Sequence, residues 1–154
     1  MAEVNMRHVR TEAQQSLYER IQGAKVCSFC EDFCRGKEPA FHPNPVILDM
    51  KYWVLTECFP KLEGAKEHFL VVSTFLDQEE KHPLFPTLPA EAWAEFGVLL
   101  QWTITRYQLP GGAFFFRFGD TDYTGASISH LHGHIVFGGA KEGERLRVKL
   151  GYTG

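Results

Sequence analysis

Apolar positions along the chain change their period several times, and each change marks an element. Residues 11–22 begin with Thr11, a helix N-cap type, and set Leu17, Tyr18 and Ile21 on one face, which predicts an amphipathic helix ending at Gly23. Val46–Leu48 and residues 51–57 (KYWVLTE) are rich in β-branched and aromatic residues and read as two strands. Residues 68–73 are almost continuously apolar, the pattern of a central strand buried on both faces. The stretch 76–89 carries Pro83, Pro86 and Pro89 and reads as a loop. In residues 90–108, Trp93, Phe96, Leu99, Leu100, Ile104 and Tyr107 recur at three- and four-residue spacing, so the longest element is a helix, stopped by Pro110-Gly111-Gly112. Residues 113–118 form a strand whose three consecutive Phe suggest burial, 119–125 a polar loop, and 128–137 the last long strand. The glycine-rich, mildly basic tail 139–154 reads as solvated, with a dimer-contacting arm as the alternative. This order predicts one α+β domain over residues 1–154, with a mainly antiparallel sheet, one long helix and a shorter N-terminal helix.

Composition narrows the function classes. With 154 residues, 44% of them hydrophobic and 14% aromatic, the chain has material for a core without disulfides. A formal net charge of −3 gives no reason to expect nucleic-acid binding. No window approaches the ~18 consecutive apolar residues of a membrane span, and Met1–Arg10 lacks the apolar core of a secretory signal, so a cytoplasmic location is expected. In that reducing setting Cys27-x-x-Cys30, with Cys34 close behind, reads as half of a zinc site in preference to a redox pair, because the sequence before it looks helical; inert cysteines are the alternative.

The densest chemistry is Ser127-Ile128-Ser129-His130-Leu131-His132-Gly133-His134. In a strand, alternate residues share a face, so the three imidazoles form one stripe and Leu131, Gly133, Ile135 and Phe137 face the core. Neither a core nor chance favours three histidines in a stripe, so the stripe reads as a site. Two chemistries compete. A catalytic zinc on the three histidines would need a carboxylate close by to activate water, and the strand offers none. A histidine acting as nucleophile towards phosphorus fits better, because the loop Gly119–Ser127 leads into the stripe and offers hydroxyls and backbone N–H groups to an anion.

His130-Leu131-His132-Gly133-His134-Ile135-Val136 resembles the histidine triad (HIT) signature, His-φ-His-φ-His-φ-φ with φ apolar. Gly125-Ala126-Ser127-Ile128-Ser129-His130 is similar to the family's Gly-Gln-Ser-Val-x-His lead-in, and His68-Phe69-Leu70-Val71-Val72 to an earlier family strand whose histidine lies beside the triad. The resemblance covers roughly residues 26–138. It implies an α+β nucleotide-binding fold, usually homodimeric, that hydrolyses or transfers nucleotidyl groups in phosphate esters, anhydrides or phosphoramidates. By position it implies His132 as nucleophile, with His134 and His130 completing the catalytic set. His68 would flank the triad, Ser127 and Gly125 would serve the phosphate, and Glu57 falls where the family has a ribose-binding Asp; a strand-end surface charge is the other reading of Glu57. Attack by His132 needs a neutral ring whose other nitrogen is held by a backbone carbonyl.

The chain also departs from the pattern. Ala126 replaces a Gln whose amide contacts phosphate, which opens the alternative of a nucleotide-binding sensor with weak or no catalysis. Gly133 stands where an apolar residue is usual and softens the core side beneath the nucleophile. Zinc-bearing members use a Cys pair, the first triad His, and a further His whose position here is Leu76. A structural zinc would therefore fall to Cys27, Cys30 and His130, with His82 as the favoured fourth ligand and Cys34 as the substitute; no catalytic metal is expected. His8 and His42 read as surface residues.

Overall fold

In the computed structural model, residues 4–34, 38–138, 143 and 145–151 are described. Five strands, β1 (Val46–Asp49), β2 (Trp53–Glu57), β3 (Glu67–Ser73), β4 (Ala113–Arg117) and β5 (His132–Phe137), form one antiparallel sheet in the order β1-β2-β3-β5-β4. The apolar run expected to be central is β3, which lies between β2 and β5.

Strand alternation sorts the core into two layers. Trp53, Leu55, Phe69, Val71 and Ile135 face helix α2 (Ala90–Tyr107), where Phe96 and Leu99 meet them. Val54, Leu70 and Val72 face the other way, against Tyr18 and Ile21 of helix α1 (Glu12–Ala24) and against Phe29 and Phe33 of the segment that follows it. Both faces of the sheet are therefore covered. This corrects the expectation of a single core side: the histidine face lies beneath the N-terminal segment, and His130, His132 and His134 are all buried.

Element ends moved where packing overrode local signals. Helix α1 runs through Gly23 and stops at Lys25, which takes the left-handed conformation (φ 54°) and returns its N–H to the Ile21 and Gln22 carbonyls. A single glycine costs a helix only about 1 kcal/mol, and the packing of Tyr18 and Ile21 offsets it. Thr11 is the N-cap, its hydroxyl accepting from the Gln14 N–H at 3.1 Å. The last strand is shorter than 128–137, because residues 127–128 pair with the N-terminus instead: Asn5 N–H donates to the Ser127 carbonyl at 2.7 Å and Val4 bridges Ile128. The polar loop 119–125 contains a one-turn helix α3 (Thr121–Thr124), capped by the Asp120 side chain and closed by Gly125 at φ 72°. In the tail, 139–142, 144 and 152–154 lie outside the described residues. Residues 145–151 are mostly exposed, as expected of a solvated tail, yet they touch the domain: the Lys149 carbonyl accepts from Arg117 at 2.8 Å, and Leu146 sits against Gly64 and Gly138.

Candidate active site

Strand β5 carries His132 and His134 on the face shared with His68 of β3. The three rings line a cavity of about 1070 Å³ between the sheet, the N-terminal segment and the tail. His132 Nδ1 lies 2.7 Å from the His130 carbonyl. A carbonyl only accepts, so Nδ1 carries the proton and Nε2 keeps its lone pair. Burial pushes the His132 pKa down to about 4, against the raising effect of that bond, so the ring is neutral at physiological pH.

A second chain of bonds sets the neighbouring tautomers. The Leu62 N–H donates to His68 Nδ1 at 3.0 Å, which leaves His68 Nε2 protonated. That N–H donates to His134 Nδ1 at 2.9 Å, so the proton of neutral His134 is on Nε2. Burial lowers both rings' pKa values, that of His68 to about 4. One backbone amide thus fixes two imidazoles and presents an N–H from His134.

His130 stands apart from this relay. Its Nε2–H donates to the Ser73 carbonyl at 2.7 Å, and its Nδ1 lies 3.3 Å from Cys27 Sγ and 3.4 Å from Cys30 Sγ. The His82 ring stacks on it at 4.3 Å, and one ligand atom from each of Cys27, Cys30, His82 and His130 lies within 4.8 Å of the others. The Cys27 thiol is held well above its ordinary pKa, first by its hydrogen bond to Cys30 and then by burial. Two thiols and two imidazoles converging on one point form a donor set that could hold a metal ion, with the Ser73 carbonyl orienting the His130 ring as an outer partner. Cys34, the substitute ligand, is not part of this group; its thiol points to the Ser73 carbonyl at 3.6 Å.

The remaining expected residues are placed unevenly. Gly125, Ala126 and Ser127 line the same cavity as the triad. The Ser127 hydroxyl donates to the His8 carbonyl at 3.2 Å. Glu57 is not brought to the site. It pairs in register with Phe69, a residue of the α2 face, and its carboxylate meets Lys61 at 2.6 Å. The ribose-binding place implied for it is thus corrected by register. Gly133 leaves no soft spot, because a Cβ there would come within 2.5 Å of the Phe116 ring, which fills the space. Neither His8 nor His42 is a bare surface group: His8 Nε2 reaches the Thr121 carbonyl at 3.1 Å, and His42 Nε2 reaches that of Glu57 at 3.0 Å.

Arg117 escaped the sequence reading. It ends β4 opposite His132, on the triad face, with Nη1 3.5 Å from His134 Nε2. Alternation along residues 113–117 puts Arg117 with Phe115, but only the pairing with β5 shows which face that is.

No protein-family model matches the chain, and no curated protein does. Solved structures do. A "Hit Like Protein" is 20% identical, with 65% of this chain and 91% of that one covered at a TM-score of 0.52. A hypothetical protein from Leishmania major is 20% identical over 73% of this chain and 74% of its own, at a TM-score of 0.50. A histidine triad protein from Clostridium difficile is 18% identical over 68% and 86%, at 0.49. The chain has the fold of the histidine triad proteins, and the three histidines of the motif lie in its strand β5 and the turn that enters it.

Proposed function

We propose that the protein is a nucleotidyl hydrolase or transferase that works through a covalent intermediate on His132. The observation that carries this reading is the 2.7 Å bond from His132 Nδ1–H to the His130 carbonyl, which leaves Nε2 as a neutral nucleophile beside a large cavity. Nε2 attacks the α-phosphorus of a nucleoside phosphate ester, anhydride or phosphoramidate. A P–N bond forms, and the bond to the leaving group breaks with its electron pair. Water then cleaves the P–N bond, its oxygen going to phosphorus and its released proton to solvent, and His132 is regenerated with a nucleoside monophosphate as product. A transferase replaces that water with an acceptor hydroxyl. His134 donates its Nε2–H to the phosphoryl group; Gly125 and Ser127 stand beside it in the same cavity.

Cys27, Cys30, His82 and His130 would hold a structural zinc, which would tie the turn after α1 to the strand of the nucleophile and take no part in the reaction. The whole chain acts as one domain, in the cytoplasm and as a homodimer. The dimer reading is supported by edge strand β4 and helix α2, where Phe114, Val98 and Ile104 are exposed large apolar residues. No helix among the described residues is long and apolar enough to cross a membrane.

The test is to mix the protein with dinucleoside polyphosphates and with nucleoside phosphoramidates, quench within one turnover, and measure intact mass. The expected result is an added nucleoside monophosphate, absent from folded His132→Ala, whose turnover falls by at least a thousandfold. An adduct that persists in His132→Ala would overturn the assignment. Nucleotide binding with neither adduct nor turnover would make the protein a sensor, the reading that Ala126 supports.

A further inference from the structure

Arg117 makes an arrangement that the protein alone does not complete. His134 Nε2 carries a proton, because the chain from the Leu62 N–H through His68 leaves His134 Nδ1 as an acceptor. The reverse tautomer would require a proton on His68 Nδ1, directed at the Leu62 N–H. Arg117 Nη1 lies 3.5 Å from His134 Nε2, and a guanidinium has no acceptor. Two N–H donors therefore converge on the same space. Such a pair is repulsive until an acceptor with negative charge lies between or beside them.

Further observations point the same way. Arg117 Nε is buried and has no hydrogen-bond partner among the described residues. Among the described residues, Nη2 donates to the Lys149 carbonyl at 2.8 Å. The guanidinium is also braced: its carbon stands 5.1 Å from the centre of the Phe115 ring, and that ring stacks on His134 at 4.8 Å. Charges around the cavity favour an anion as well. Arg10, Arg145, Arg147 and Lys149 line it with Arg117, as does Lys61, which is paired with Glu57, and the carboxylates among its described lining residues are Asp32 and Glu63. Asp32 is already taken, accepting from the backbone N–H groups of Ala40, Phe41 and His42.

We propose that Arg117 and His134 form a clamp for an anionic phosphoryl group, with Arg117 as a catalytic residue that supplies the donors missing at Ala126. This rests on the reading of the cavity as a nucleotide site, and it deepens that reading by naming the group that binds the phosphate. The planar fork takes two oxygens of one phosphate, and His134 takes a third contact on the same group. A ligand without a charged phosphate gains nothing from the clamp.

The test measures binding, so it does not depend on turnover. Affinities for inorganic phosphate, for nucleoside 5′-monophosphates and for the matching nucleosides are taken by calorimetry on wild type, Arg117→Met and Arg117→Lys. For monophosphates, Arg117→Met is expected to bind about 10- to 100-fold more weakly. Nucleoside affinity and melting temperature should hold, and Arg117→Lys, a point charge without the fork, should fall between. Equal monophosphate affinity in wild type and Arg117→Met overturns the proposal, and so does wild-type binding that is indifferent to the phosphate. If Arg117→Met does not fold, Arg117→Lys with wild-type monophosphate affinity would overturn the fork's role. Loss of the His132 adduct with a phosphate affinity that still responds to Arg117 removes the covalent reading and leaves the clamp. The opposite pair of results removes the clamp alone.

Discussion

At the scale of single residues, the site is built from buried imidazoles kept neutral by their surroundings. For His68 this has a measurable consequence. Its pKa is held down to about 4, by burial first, whereas in the unfolded chain it titrates near 6.5. As pH falls from 6.5 to 4, the unfolded state takes up a proton that the folded state refuses, so stability is full above that window and drains away within it. The contribution is on the order of 3 kcal/mol. Replacing His68 with Gln should flatten the dependence of unfolding free energy on pH by about 1 kcal/mol per unit between pH 5 and 6. An unchanged slope in denaturant titrations would show that His68 titrates normally. The pair His132 and His134 could be read from the sequence because strand alternation is a local property, whereas His130, expected in the same stripe, precedes the strand and turns to the cysteines. Glu57 and Arg117 show the reverse. Each sits at a strand end, and which face it shares with the histidines depends on pairing partners far away in sequence, Phe69 for one and His132 for the other.

At the scale of elements, two junctions carry strand β5. The first is between β5 and β4, where Gly133 lets the Phe116 ring lie against the backbone; an added Cβ would be 2.5 Å from that ring. Gly133→Ala is therefore expected to destabilise the protein by about 1–3 kcal/mol through overpacking. Gly133→Ala combined with Phe116→Leu should recover part of the loss, and a neutral single variant in thermal denaturation would show that the ring can move aside. The second junction is between the turn after α1 and the start of β5, through Cys27, Cys30, His82 and His130. If zinc occupies it, Cys27→Ser should lower the melting temperature more than Cys58→Ser, whose thiol lies outside this group. Metal below a tenth of an equivalent in protein purified without chelator would dismiss zinc. The meeting of Cys27 and Cys30 follows from their spacing. That His82 joins them follows from the course of the loop 76–89, which spacing alone left open.

At the scale of the whole molecule, the expected zinc and the expected chemistry are separate, and chelation should divide them. Dialysis against a strong chelator, at a temperature where the protein stays folded, should strip metal and lower the melting temperature while turnover persists. Turnover lost at unchanged melting temperature and restored by added zinc would move the metal into the reaction. The sequence by itself determined the order of the five strands and the two long helices, the α+β class, the central place of β3 and the shared face of His132 and His134. These depend on periodicity, turn residues and short spacings, which act within a few residues of one another. Only the tertiary structure decided that the triad face is roofed by the N-terminal segment, that residues 145–151 touch the domain beside the cavity, and that Arg117 converges on His134. Those outcomes depend on which distant surfaces bury one another and on the register between strands, and neither is written in the local pattern of a single segment.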